Sequence, residues 1–297
     1  MTNQAPFFDR LEAARSDKQS ILCVGIDPRL ERMPAEITAG REGDVEAILT
    51  RYGIELLELT APYAACFKPQ IAFFEAHGMA GLRAFAAIVQ EARRRDLLVI
   101  GDVKRGDIGS TATANAQAFL APGADLEVDA ITINPYLGGD ALDPFVSQAA
   151  DAGKGLYVLV RTSNPGGADL QELTVGGEDT RVFQAVAAMV RALGDPHRSA
   201  ATGLSCVGAV VGATTPAALD ALRHEMPDTP FLVPGYGAQG GTAADVVPAF
   251  RADGSGAVVN ASRSINYPAA AEGEWRAAVE RAAQAAREDL HGAGITA

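Results

Sequence analysis

Leu97-Leu98-Val99-Ile100-Gly101-Asp102-Val103-Lys104 begins as an unbroken apolar run and ends on two charges. A short continuous apolar run, rather than an alternating one, marks a strand covered on both faces. Seven other short apolar runs recur along the chain, and most are likewise nearly continuous. They are Ile21-Leu-Cys-Val-Gly-Ile-Asp27, Ala65-Cys-Phe-Lys68, Asp129-Ala-Ile-Thr-Ile-Asn134, Gly155-Leu-Tyr-Val-Leu-Val-Arg-Thr162, Val207-Gly-Ala-Val-Val-Gly212, Phe231-Leu-Val-Pro-Gly-Tyr236 and Gly256-Ala-Val-Val-Asn-Ala-Ser-Arg263. Helical patterns separate them, including 45–59, 73–95, 111–120, 180–193 and 269–290. Within 73–95, Phe74, Leu82, Phe85, Ile88 and Val89 recur near the 3.6 period, and Arg93, Arg94 and Arg95 close the last turn. Thr215-Pro216 reads as a helix start, Thr as N-cap and Pro at the first helical position. Eight strand–helix alternations with right-handed crossovers predict a (β/α)8 barrel of the α/β class. An open doubly wound sheet is the alternative, but no Gly-x-Gly-x-x-Gly follows the first strand.

The chain has 297 residues. Division by about 150 residues per domain would suggest two domains, yet α/β barrels commonly exceed 200 residues as one. The strand count favours a single barrel domain over 1–297. The surplus goes to an N-terminal helix and to extended loops after the first and fifth strands, 28–43 and 163–177. Hydrophobic residues make up 48% and charged residues 21%, which excludes a disordered tail and a coiled coil. Twenty-five basic against 37 acidic residues leave a formal charge of −12. Nucleic acid and anionic membrane are therefore not expected as partners. Cys23, Cys66 and Cys206 are too few and too scattered for a disulfide framework or a zinc site. Met1 to Arg15 lacks the pattern of a signal peptide, and no apolar stretch reaches a membrane span. A cytoplasmic protein is expected.

The chemistry gathers at strand ends. Asp102 and Lys104 stand two apart on a strand and share a face. Two charges inside a barrel are costly unless paired, but at its open rim they are suited to catalysis. Asp107 follows in a turn flanked by Gly106 and Gly109. Carboxylates on both sides of Lys104 would favour its ammonium form, which can stabilise negative charge and then donate a proton. Asp27 ends the first run and Lys68 the second, which completes an Asp/Lys ring at one mouth.

At the opposite side of that mouth the seventh run turns into Pro234-Gly-Tyr-Gly-Ala-Gln-Gly-Gly241, whose glycines let backbone N–H groups approach an anion. The eighth ends in Asn260-Ala-Ser-Arg263, where a guanidinium can grip phosphate. Loops after strands seven and eight are the usual phosphate site of such barrels. His77, His197, His224 and His291 fall in helical or loop stretches and are given no role.

These residues resemble orotidine 5′-phosphate decarboxylases over nearly the whole chain. Asp102-Val-Lys-Arg-Gly-Asp107-Ile108 is similar to the family's D-x-K-x-x-D-I signature. Arg161-Thr-Ser-Asn-Pro-Gly166, Pro234-Gly-Tyr-Gly-Ala-Gln239 and the long first loop look like its longer bacterial (type 2) subfamily. The resemblance implies conversion of orotidine 5′-phosphate to uridine 5′-phosphate and CO2, the last step of de novo pyrimidine synthesis, by a barrel homodimer without cofactor or metal. Carried over, Lys104 is the proton donor to C6 and Asp102 lies beside the substrate carboxylate. Asp27 and Lys68 match the ribose-binding positions. Asp107, Ile108 and Thr111 match positions that reach the partner's site. Gln239 and Arg263, with Pro234 and Gly235 of the same turn, match the phosphate grip. Ser163, or else Thr162 or Asn164, matches the pyrimidine reader. Two rivals are a Mg²⁺-dependent sugar-phosphate decarboxylase or aldolase of the same superfamily and a barrel that only binds a nucleotide phosphate. The first would need acidic residues at neighbouring strand ends, and the fourth strand ends in Asn134-Pro135-Tyr136.

Overall fold

Short apolar runs separated by amphipathic ones form parallel strands with crossover helices, and the computed structural model has that arrangement. It describes residues 5–176, 179–237, 239–271 and 273–295. The barrel strands are β1 (Leu22–Ile26), β2 (Cys66–Pro69), β3 (Ile100–Arg105), β4 (Ala130–Ile133), β5 (Gly155–Arg161), β6 (Val207–Val211), β7 (Phe231–Val233) and β8 (Ala257–Ala261). All pair in parallel, in the order β2-β1-β8-β7-β6-β5-β4-β3. Bridges Phe67↔Val99 and Gln70↔Asp102 join β2 to β3 and close the ring. The result is a single (β/α)8 barrel.

Helix α1 (Phe7–Lys18) precedes β1. The crossovers carry α2 (Val45–Thr60), α3 (Gly78–Arg94), α4 (Gly109–Leu120), α5 (Gly139–Ala152), α6 (Val182–Gly194) and α7 (Pro216–Glu225), and α8 (Trp275–Gly292) follows β8. After β7 the crossover shrinks to one turn, Ala243–Val246. Both extended loops are present. The first holds a short turn of helix, Ala35–Thr38, and the second a helical turn, Ala168–Gln171, and a hairpin pairing Thr174–Val175 with Thr180–Arg181. Gly177, at the end of the second loop as read from the sequence, and Ala238 of the glycine-rich turn lie outside the described residues.

Three local expectations change. The 73–95 helix is two pieces, Ala72–Glu75 and α3, because Gly78 adopts φ +58°. The 269–290 helix begins only at Trp275, after Gly273 at φ +78°. Thr215 does occupy the N-cap position of α7, but its hydroxyl makes no capping bond.

The period-2 alternation of the strands divides the side chains into two sets. Outward residues such as Val24, Phe67, Val103, Ile131 and Val211 pack against the helices in the main core. Inward residues form the barrel interior. Its lower layer is apolar: Cys23, Cys66, Ile100, Ala130, Tyr157 and Val258 meet Phe7, Phe8 and Leu11 of α1. The Phe8 and Tyr157 rings stand edge to face at 5.3 Å. Helix α1 therefore plugs the floor. Cys23 and Cys66 face each other across β1 and β2 as buried free thiols.

Phe7 is fully buried against Gly155, where an added Cβ would lie 2.4 Å from its ring. Phe7→Ala should cost about 3–5 kcal/mol of unfolding free energy in urea denaturation. A loss under about 1 kcal/mol would show that the plug contributes little to the fold.

Candidate active site

Above the apolar floor the inward positions turn polar, and a cavity of about 340 Å³ opens at the C-terminal ends of the strands. The strand ends bring Asp27, Lys68, Asp102 and Lys104 to its wall, as the sequence predicts. Asp102 is the centre. Its Oδ2 accepts from Lys68 Nζ (2.6 Å) and Gln70 Nε2 (2.9 Å). Its Oδ1 accepts from Thr132 Oγ1 (2.9 Å) and from Lys104 Nζ. Burial pushes the Asp102 carboxyl upward, but Lys68 and then Lys104 more than offset it and hold it well below the usual carboxylate range. Burial works to lower the Lys68 pKa, and Asp102 followed by Asp27 overcomes it, so the lysine stays charged above its ordinary range. A buried carboxylate between two ammonium groups thus remains ionised across neutral pH.

Asp27 differs from Asp102. Burial raises its pKa against the pull of Lys68 and Ser262, and its Oδ1 has no hydrogen-bond partner among the described residues. A buried acceptor without a donor is costly unless a ligand supplies one. Its backbone is fixed from the far end of the chain. Asp27 N donates to Asn266 Oδ1 (2.9 Å), and Tyr267 Oη donates to Asp27 O (2.8 Å). Asn266, fully buried, also donates to Gly25 O (2.6 Å) and Ser262 O (2.8 Å) and accepts from Tyr52 Oη (3.1 Å). The close approach of β1 to β8 requires Gly25, since a Cβ there would sit 1.8 Å from Ser262 Oγ.

The opposite wall is built for an anion. Gly235, Gly237 and Gly240 all have positive φ (103°, 70° and 96°), so the turn after β7 folds back on itself, Gly241 N donating to Gly235 O (3.0 Å). Tyr236 Oη ties the turn to Asp289 of α8 (2.6 Å). Pro234, Gly235, Gln239 and Arg263 line the cavity. Arg263 starts the one-turn helix Arg263–Asn266 and makes no ion pair among the described residues. Arg29 and Arg32 of the first loop join it, stacked over Phe73 and Tyr267. Five cations and two carboxylates line this mouth, in a chain of net charge −12. In the loop after β5, the Thr162 hydroxyl donates to Asn164 and accepts from Gln171, whereas that of Ser163 makes no bond among the described residues.

One sequence expectation is corrected. Asp107 does not flank Lys104 within the chain, because the chain leaves the barrel at Gly106 and the Asp107 carboxylate accepts from its neighbour Ile108 N (2.8 Å). Asp107, Ile108 and Thr111 all lie outside the cavity lining, and Ile108 is 60% exposed. Sequence reasoning passed over Gln70, Thr132 and Asn260, which strand parity with Lys68, Ala130 and Ser262 could have revealed. It also passed over Arg29, Arg32, Asn266 and Tyr267, for which no local signal exists. Among the described residues no cluster of three His, Cys, Asp or Glu could hold a metal ion.

Fold and mouth together define a (β/α)8 barrel with a charged reaction centre facing an anion grip. Residues 20–280 match the orotidine 5′-phosphate decarboxylase / HUMPS family. The chain is 43% identical to an orotidine 5′-phosphate decarboxylase of Rhodopirellula baltica, over 96% of this chain and 99% of that one. It is 44% identical to that of Deinococcus radiodurans, over 93% of each. Among solved structures, a putative orotidine 5′-phosphate decarboxylase from Streptomyces avermitilis superposes with a TM-score of 0.80 at 37% identity, covering 98% of this chain and 96% of that one. The Leishmania donovani OMP decarboxylase gives 0.77 at 35%, covering 97% and 98%. The chain belongs to the orotidine 5′-phosphate decarboxylase / HUMPS family.

Asp102→Asn would leave Lys68 buried without its counter-charge. It should lower the unfolding free energy at pH 7 by about 3–5 kcal/mol. The folded pKa of Asp102 lies below its ordinary 3.8. Its stabilising contribution is therefore complete above about pH 4 and fades as pH falls toward the folded value. Urea titrations should show the gap between the two proteins narrowing below pH 4; a constant gap would contradict this assignment.

Proposed function

We propose that this protein decarboxylates orotidine 5′-phosphate to uridine 5′-phosphate and CO2, the closing step of de novo pyrimidine synthesis, with Lys104 as the proton donor. The observation that carries the reading is the Lys68–Asp102–Lys104 chain, buried at Lys68 and Asp102 and open to the cavity at Lys104, which shares that cavity with Arg263, unpaired among the described residues. Such a substrate brings two anions, a phosphate at one end and a carboxylate at the other. Arg263, Gln239 and the backbone at Pro234 and Gly235 suit the phosphate. The Oδ1 of Asp27, unpartnered among the described residues, suits a ribose hydroxyl, with Lys68 beside it. The unengaged hydroxyl of Ser163 favours it over Thr162 as the reader of the pyrimidine edge.

In the reaction the C–C bond between C6 and the carboxylate breaks and CO2 leaves without the electron pair. The pair remains on C6. The Lys104 ammonium, held near by Asp102, stabilises that charge and transfers a proton to it. The ionised Asp102 raises the energy of a substrate carboxylate set beside it, and phosphate binding at the far wall offsets that cost. The protein's own charges thus supply what a cofactor electron sink would supply elsewhere. Asp107, Ile108 and Thr111 are assigned to the site of a second copy. In support, Ile108 after β3 and Tyr136 and Leu137 after β4 are exposed apolar residues at strand ends, which a twofold partner would cover. We place the protein in the cytoplasm, as one barrel domain of the longer bacterial type. Buried free thiols suit that compartment, and no described helix is long and apolar enough to cross a membrane.

A Mg²⁺-dependent reaction on a sugar phosphate is the second reading, drawn from the other half of the family name. Asn134 at the tip of β4, its Oδ1 accepting from Tyr136 N (3.0 Å), is a weaker Mg²⁺ ligand than a carboxylate would be. Loss of orotidine absorbance, followed before and after exhaustive chelation, separates the two. Full activity is expected in both samples, and a chelator-sensitive rate would favour the second.

Lys104→Ala should lower kcat by at least about a thousandfold while the melting temperature holds; near-normal turnover would overturn its role. Lys104→Ala and Asp107→Ala chains, each inactive alone, should regain about a quarter of wild-type activity when unfolded and refolded together, because half of the sites in a mixed twofold dimer are intact. No recovery would remove Asp107 from the partner's site.

A further inference from the structure

β3 and β4 leave register at the catalytic segment. Gly101 pairs with Ile131 and Arg105 with Ile133, so Asp102, Val103 and Lys104 stand opposite one residue, Thr132. Such a bulge strips ladder partners from the backbone N–H groups within it. Lys104 also takes φ +45°, a left-handed conformation that a side chain with a Cβ adopts only when its surroundings enforce it. Together these turn the Lys104 ammonium back onto Asp102.

Thr132 is what enforces it. Its side chain points into the barrel and is 1% exposed. Oγ1 accepts from Val103 N and from Lys104 N, each at 3.0 Å, and donates to Asp102 Oδ1 at 2.9 Å. A threonine hydroxyl has one proton and two lone pairs. All three are used, and all three go to the segment that carries the reaction. We propose that Thr132 is a positioning residue that fixes both the backbone of the proton donor Lys104 and the carboxylate that aims it. The inference rests on the function proposed above. Valine would match the shape without the hydroxyl, leaving one buried and one half-buried N–H group without their acceptor and Asp102 one donor short. Serine would keep all three bonds.

The test compares wild type, Thr132→Val and Thr132→Ser by steady-state decarboxylation and by hydrogen exchange of the Val103 and Lys104 amides. Thr132→Val should lose about tenfold to a hundredfold in kcat, as misplacement of a reacting group does, with KM within about threefold. Its two amides should exchange at least about tenfold faster. Thr132→Ser should restore both properties to within about threefold. The proposal is overturned if Thr132→Val keeps kcat within about twofold, if KM rises as kcat falls, or if serine fails to rescue. Should Thr132→Val not fold, Thr132→Ala takes its place under the same criteria. Should the wild type not decarboxylate the substrate, the function proposed above fails, while the amide protection and its rescue by serine still decide whether Thr132 holds the segment.

Discussion

Everything at the mouth of this barrel depends on keeping one carboxylate ionised where water is scarce. Asp102 achieves this with four donors, two of them ammonium groups. The arrangement fixes the neighbours in turn. Lys68 stays charged although buried, Gln70 is held beside it, and the bulge in β3 is stitched to β4. A neutral residue at position 102 would therefore disturb more than one contact, because three strands end on it. Active sites hold such costly groups where the surrounding fold over-determines them, and here closure of the barrel between β2 and β3 passes through Gln70 and Asp102 themselves.

The two walls of the cavity are not independent. Asp27 just after β1 and Arg263 after β8 are joined through Asn266 and Tyr267, which lie in and just after the helical turn that Arg263 begins. A ligand that pulls Arg263 inward loads the same turn that holds the Asp27 backbone. The mouth also reverses the sign of the molecule: an acidic surface surrounds a cavity lined by five cations, so a small anion is drawn to one place rather than to the whole chain.

Much of this was legible in the sequence. Strands buried on both faces leave continuous apolar runs, and Asp27, Lys68 and Asp102 are visible because each closes such a run. Arg263 and the glycine turn are visible for the same reason. What escaped depends on distance and on backbone. Asn266 meets partners 214 and 241 residues away, and no local pattern encodes that. The bulge at Asp102–Lys104 reads as ordinary strand alternation, since an αL lysine carries no signature. The helix breaks at Gly78 and Gly273 were half legible, as glycines inside helical patterns. Asp107 misled because three positions along the chain suggest closeness to Lys104, and a turn undoes it.

The floor sealed by α1 sets the traffic of the molecule. Phe7, Phe8 and Leu11 fill the lower end, and Tyr157 closes the ring above them. Among the described residues the lower end is packed shut, so the cavity opens at the strand-end mouth. Whatever enters, together with any fragment it sheds, must leave by the same opening, past the glycine turn and the loop after β5. Departure of the larger product and admission of the next molecule thus share one doorway.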